Sequence, residues 1–197
     1  MSLNPLPQIA RRLRGRTDPP APLIQPAATP RTFDRYCFIA GLHRSGTTLT
    51  EHLLQATCDV SVLRADVPEN EGQHLQDVVP AAIRLGGPGR FAFSTEMHTP
   101  VATGAAAEDQ RARLLACWTP WVTGDAPLLV EKSPPNLVRI PWLRSVFPGA
   151  RFLIVTRDPR ASAAATEKWS TSSLRELIYH WHVAHAAALE AACATCQ

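Results

Sequence analysis

From residue 35 onward, short apolar runs alternate with longer segments whose apolar residues recur at helical spacing. The runs Tyr36 to Ala40, Val60 to Leu63, Leu128 to Val130 and Phe152 to Val155 are bounded by turn or charged residues and read as strands. Helical patterns fall between or after them, around Gln73 to Leu85, Glu108 to Val122, Pro134 to Phe147 and Leu174 to about Cys193. The loop Gly86-Gly-Pro-Gly89 separates the first two, and Pro148-Gly149 closes the third. The last helix carries a stripe of Leu174, Leu177, Ile178, Trp181, Ala184, Ala188 and Leu189, which needs a surface to pack on. Such alternation predicts an α/β fold, a central parallel sheet flanked by helices in three layers.

Residues 1–34 break the pattern. Seven prolines fall in the first 32 residues and apolar periodicity is almost absent, so 1–34 reads as a flexible Pro/Arg-rich extension ahead of a domain at 35–197. Arg11, Arg12, Arg14 and Arg16 belong to this stretch, read as a solvated tail. A chain of 197 residues with 45% hydrophobic content is sized for one domain with a sizeable core. No apolar run approaches the roughly 20 residues of a membrane span, so no transmembrane segment is expected and a cytoplasmic location is the default.

Charge narrows the partners. The net charge is only +3, and the six arginines among residues 1–35 outnumber Asp18 and Asp34 by more than that. The remainder therefore has no domain-wide basic field of the kind that binds nucleic acid. Of twenty basic residues only Lys132 and Lys168 are lysines, and both lie in segments that look like motifs. Five scattered cysteines do not make a disulfide framework, and Cys193-x-x-Cys196 lacks a partner pair for tetrahedral metal.

The densest chemistry follows the first strand, in Gly41-Leu-His-Arg-Ser-Gly-Thr-Thr48. Glycines at 41 and 46 fit the Gly-x4-Gly frame of a phosphate-binding loop, but Thr47 stands where the lysine belongs and Arg44 sits inside the loop. Backbone N–H groups, the helix N-terminus, the hydroxyls of Ser45, Thr47 and Thr48, and the Arg44 fork would together suit a phosphate-like anion. A strand-to-helix glycine turn without ligand is the alternative. In a parallel sheet, strand C-termini share one edge, so Arg157 at the end of Phe152 to Val155 should emerge beside this loop. A surface pair between Arg157 and Asp158 is the competing reading. Glu131-Lys132-Ser133-Pro134 reaches the same edge. There Glu131 could ligate a metal, as in a nucleotide hydrolase, whereas Lys132 suits anionic charge without one.

His43-Arg-Ser-Gly-Thr-Thr48 resembles the 5′-phosphosulfate loop of sulfotransferases, in style the tyrosylprotein type and related microbial enzymes. Phe152-Leu-Ile-Val-Thr-Arg157-Asp-Pro-Arg160 is similar to their 3′-phosphate element, and Glu131-Lys-Ser-Pro134 to the short lysine motif between the two. The three occur in the family's order across about 36 to 190. The resemblance implies a P-loop-like fold and in-line sulfuryl transfer from 3′-phosphoadenosine 5′-phosphosulfate to an acceptor hydroxyl or amine, with no metal. It implies Arg44 as a catalytic and donor-binding cation with Ser45, Gly46, Thr47 and Thr48 around it. Lys132 would steady the bridging oxygen, and Arg157 would bind the 3′-phosphate. The family's serine eight residues after that arginine is Ala165 here, with Thr166 as the substitute contact.

An acceptor hydroxyl calls for a general base. In the tyrosylprotein branch this is a glutamate after the loop helix, and Glu71 is the matching choice, with Glu69 and His74 behind it. His180, His182 and His185 lack the i, i+4 pair of a helical metal site together with a carboxylate, and Trp169 and Trp181 read as core residues. The resemblance also implies a further strand after the last helix, so the expectation is a part of a longer protein. Two other readings stand beside sulfuryl transfer: a P-loop nucleotide kinase or hydrolase, and a non-catalytic nucleotide- or anion-binding domain. The acceptor class and oligomeric state are not encoded in these motifs.

Overall fold

The computed structural model describes residues 23–194. Among them, strands β1 (Arg35–Gly41), β2 (Ser61–Leu63), β3 (Val122–Thr123), β4 (Leu128–Lys132) and β5 (Arg151–Val155) form one sheet in the order β3-β2-β4-β1-β5. β1 pairs in parallel with β4 on one side and β5 on the other; β2 joins β4 in parallel, and only β3 runs antiparallel. The α/β fold expected from the alternation of apolar runs is the observed one. No helix among the described residues is long and apolar enough to cross a membrane.

β1 is central because both of its faces are apolar. Phe38 and Ala40 point to one side, Cys37 and Ile39 to the other, and all four are buried. The Phe38 face packs against α2 (Ala105–Trp118) and α3 (Ile140–Val146) through Leu114, Trp118, Trp142 and Phe147. Around Ala40, α5 (Leu174–Cys193) covers the same side with Ala184, Ala188 and Ala191. The opposite face, with Ile39, Val62 and Val130, is covered by Leu54 of α1 (Thr47–Thr57). The α4 helix (Pro159–Glu167) starts where the sequence signals it: Asp158 accepts from the N–H groups of Arg160 and Ala161, with Pro159 in the first turn. A capping box between Ser173 and Glu176 starts α5.

Three helical expectations change. The segment 73–85 is not a helix but two 3₁₀ turns, Gly72–His74 and Ala82–Leu85, joined by irregular chain. Pro80 lacks an N–H, and two side-chain amides take over the backbone groups a helix would use. Gln76 accepts from the N–H groups of Val78 and Val79 and donates to the carbonyls of Gln73 and Val79, while Gln73 accepts from Ala82 N–H. Likewise, the stretch from Pro134 to Phe147 divides at Arg139 into a 3₁₀ turn, Pro134–Val138, and α3, because Pro141 cannot continue a helix begun before it. In α5 the buried face is Leu177, His180, Ala184, Ala188 and Ala191, and Leu174, Ile178 and Leu189 of the expected stripe are exposed.

Of the predicted extension, residues 1–22, with Arg11, Arg12, Arg14 and Arg16, lie outside the described residues. From Leu23 the chain is tied to the domain. Leu23 N–H donates to the His74 carbonyl at 2.9 Å and Ala27 N–H to that of Ala116 at 2.8 Å. The Arg31 guanidinium donates to the carbonyls of Gly124 and Ala126 while lying over the Phe33 ring.

Candidate active site

The loop after β1 is shaped by three backbone constraints. A Cβ on Gly41 would lie 2.7 Å from the Val155 carbonyl oxygen and 2.8 Å from Ser45 Oγ, so only glycine fits. Arg44 and Gly46 both take positive φ, 67° and 111°. For Arg44 that conformation costs on the order of 1–3 kcal/mol, of the kind held in place at ligand sites by its surroundings. The surroundings are visible, since four of the loop's carbonyls are engaged. Leu42 accepts from Ser45 N–H, His43 from the Thr166 hydroxyl at 3.3 Å, Arg44 from Arg157 Nη1 at 3.0 Å, and Gly46 from Thr50. With the carbonyls turned into the protein, the first N–H groups of α1, at Thr47 and Thr48, have no intrahelical acceptor. Ser45 Oγ is buried and has no partner among the described residues. A buried hydroxyl left unpaired beside a helix N-terminus is what an anion oxygen would satisfy.

The neighbouring strand end carries the charged core. Ile39 of β1 is in register with Lys132 of β4, which sets this lysine beside the start of the loop. The Lys132 side chain is fully buried; its Nζ donates to the Glu69 carbonyl at 2.5 Å and lies 3.7 Å from Glu71 Oε1. Glu69 and Asn70 both adopt φ of 53°, a tight left-handed pair that turns the Glu69 carbonyl toward the lysine. Glu71 is itself buried and accepts from Gln73 Nε2 at 2.5 Å. Burial raises its carboxyl to about 7, a rise that Lys132 and the Gln73 hydrogen bond only partly offset. His74 Nε2 is 3.7 Å from Glu71 Oε2, and burial lowers this imidazole to about 4, which keeps it neutral at pH 7.

Glu131, the other acidic residue at this edge, is committed to structure. Its carboxylate accepts from Gly72 N–H, Ser133 Oγ and Asn136 Nδ2. A Cβ on Gly72 would lie 2.6 Å from its Oε1. The carboxylate thus fastens the Glu71 segment to β4.

Thr166 and Trp169 have surroundings that differ from the sequence reading, while Arg157 stands beside the loop as expected. Thr166 is buried behind the loop with its hydroxyl on the His43 carbonyl, a contact that braces the loop. Arg157 does not pair with Asp158, whose carboxylate caps α4 and meets Arg160 at 3.1 Å. Of the two tryptophans, Trp181 packs partly buried against the core around Ala184 and Ala188, as expected. Trp169 is half-buried with the Arg44 guanidinium 5.7 Å above its ring, and Trp181 donates to the Arg157 carbonyl at 3.0 Å.

This loop, its lysine and its arginine occupy one edge of a parallel sheet, and residues 37–196 match the family model described as the Sulfotransferase family. The chain belongs to the sulfotransferase family. Among curated proteins, none matches the sequence. The fold observed here is the α/β fold that membership implies, and the activity of the family is sulfuryl transfer.

For this sulfotransferase, the sheet brings together Arg44, Ser45, Gly46, Thr47, Thr48, Lys132, Arg157 and Glu71, and sets Thr166 behind them. Of the three candidate bases, Glu71 stands next to Lys132 and His74 next to Glu71, whereas Glu69 contributes its carbonyl and its side chain is exposed. Sequence reasoning missed Gln73 and Asn136. Asn136 donates to both Glu131 and the Ile39 carbonyl, tying β1 to the lysine motif. Its signal was the asparagine just after Lys132-Ser-Pro-Pro135; Gln73 had none. The C-terminal histidines diverge in role. His180 accepts from Ala92 N–H in the core, and His185 Nδ1 bonds the Trp181 carbonyl. Cys196 lies outside the described residues.

Proposed function

We propose that the chain transfers a sulfuryl group from 3′-phosphoadenosine 5′-phosphosulfate to an acceptor hydroxyl. The observation that carries this reading is the buried Glu71–Lys132 pair, 3.7 Å apart, one strand from a loop whose Ser45 hydroxyl is buried without a partner among the described residues. The residues present fit the donor. Ser45 Oγ, the N–H groups of Thr47 and Thr48 and the Arg44 guanidinium hold the 5′-phosphosulfate, and the free guanidinium nitrogens of Arg157 hold the 3′-phosphate.

Glu71 takes the acceptor proton as the new oxygen–sulfur bond forms and the bond to the bridging oxygen breaks. Lys132 faces the charge that grows on that bridging oxygen, and Arg44 with the loop donors holds the released phosphate end. Donors fixed in place before the reaction stabilise such a spread anionic transition state without reorganising. Gln73 positions Glu71, and Thr166 and Arg157 position the loop through its carbonyls.

The nucleotide kinase reading is weaker on this geometry. Its metal would call on Glu131, whose oxygens already serve three protein donors. The test is an acceptor screen with ³⁵S-labelled phosphosulfate donor. Label should pass to a hydroxyl-bearing acceptor with one adenosine 3′,5′-bisphosphate released per transfer. Transfer of ³²P from Mg-ATP with no sulfate transfer would overturn the proposal.

A further inference from the structure

An open cleft of about 300 Å³ lies along Gln73 to Ala81 and Arg84. It lies under the irregular segment that replaces the expected helix between 73 and 85. Its lining includes Gln73 and His74, both of which contact Glu71. Small-molecule sites begin at about this volume, with mainly apolar walls and a few polar groups that fix orientation.

The free chemistry of the cavity follows by elimination. The amides of Gln73 and Gln76 are spent on the backbone and on Glu71. Asp77 is neutralised by Arg113, which donates to both of its oxygens. Val78, Val79, Pro80 and Ala81 supply an apolar wall. Two polar side chains are left to meet a ligand: the His74 ring and the exposed guanidinium of Arg84, which pairs with no carboxylate among the described residues. An unpaired cation over an apolar wall favours an anionic group there.

Resting on the sulfotransferase reading, we infer that this cavity is the acceptor site and that it takes a small hydroxyl compound with an apolar body and a carboxylate. The hydroxyl enters past His74 toward Glu71, the body lies on Val78 to Ala81, and the carboxylate meets Arg84.

The test compares 4-hydroxyphenylacetate with its neutral isostere 4-hydroxyphenylacetamide, by calorimetry and ligand-observed NMR, on the full chain with adenosine 3′,5′-bisphosphate present. The acid should bind about tenfold more tightly, the worth of one partly exposed charge-assisted hydrogen bond. Arg84→Gln should erase that preference, and Val79→Trp should abolish binding of both probes; each variant should keep its bisphosphate affinity and melting temperature. Equal binding of the two probes, no binding of either, or binding unaffected by Val79→Trp would each overturn the acceptor assignment. Retained bisphosphate binding in those cases leaves the donor reading standing. Failure of the wild-type chain to bind bisphosphate would overturn both.

Discussion

Arg157 Nη1 donates to the carbonyl oxygen of Arg44 at 3.0 Å, joining two motifs 113 residues apart in sequence. The bond holds Arg44 in its left-handed conformation and places both guanidinium groups at one sheet edge. Anion recognition at the loop is therefore coupled to the end of β5.

Replacing Arg157 by lysine keeps the charge but removes the fork that serves the loop carbonyl and a ligand together. Arg157→Lys is expected to weaken binding of adenosine 3′,5′-bisphosphate by about tenfold or more, the scale of one charge-assisted hydrogen bond. Calorimetry reads the affinity, and an unchanged melting temperature would separate the effect from unfolding, since Arg157 is exposed.

Glu71 should govern the pH dependence. Its carboxyl is raised to about 7 by burial, so the base form, and with it kcat/KM, should increase as pH rises through about 7. The sign for stability is opposite. The folded carboxyl keeps its proton above the ordinary value of 4.5, so its contribution to stability is full below that value and is lost as pH rises through about 7. Glu71→Gln should lower turnover about 10²–10⁴-fold and leave bisphosphate binding intact. Unchanged turnover in the glutamine variant would remove Glu71 from the mechanism.

Gly41 has no room for a side chain. Gly41→Ala would set its methyl against the Val155 carbonyl, Ser45 Oγ and Thr47 Cγ2, all under 3 Å. A loss of about 1–3 kcal/mol of stability is expected from such overpacking, together with loss of bisphosphate binding as the loop shifts. Denaturant unfolding and calorimetry on the same variant check both halves.

Glu131 is a structural carboxylate. Glu131→Ala leaves the Gly72 N–H, the Ser133 hydroxyl and one N–H of the Asn136 amide buried without an acceptor, at about 1–3 kcal/mol for each group left unpaired. The variant should unfold at much lower denaturant, and Mg²⁺ should not change bisphosphate affinity of the wild type. A magnesium-dependent affinity lost in Glu131→Gln would return the carboxylate to a metal role.

Much of this was legible in the sequence, and the reasons are local. The strands stand out because short apolar runs are cut off by turn residues. The loop stands out because two glycines are forced by contacts and by φ. Parallel pairing then carries Lys132 and Arg157 to the Gly41 edge without further information. What stayed hidden depends on individual side-chain hydrogen bonds. The 73–85 stretch has helical spacing, but the Gln73 and Gln76 amides capture the backbone around Pro80. In α5, periodicity shows a stripe but not its direction, and the face that packs is the alanine-rich one with His180. Thr166 looked like a ligand contact by its position after Arg157, yet the turn of α4 points it at the His43 carbonyl.

The most direct measurement of the central claim is a calorimetric comparison of adenosine 3′,5′-bisphosphate with Mg-ATP on the same protein. A donor site built from Arg44, Ser45 and Arg157 predicts tighter binding of the bisphosphate, weakened by Arg44→Ala and by Arg157→Ala. Tighter binding of Mg-ATP, with the bisphosphate indifferent to both substitutions, would contradict it.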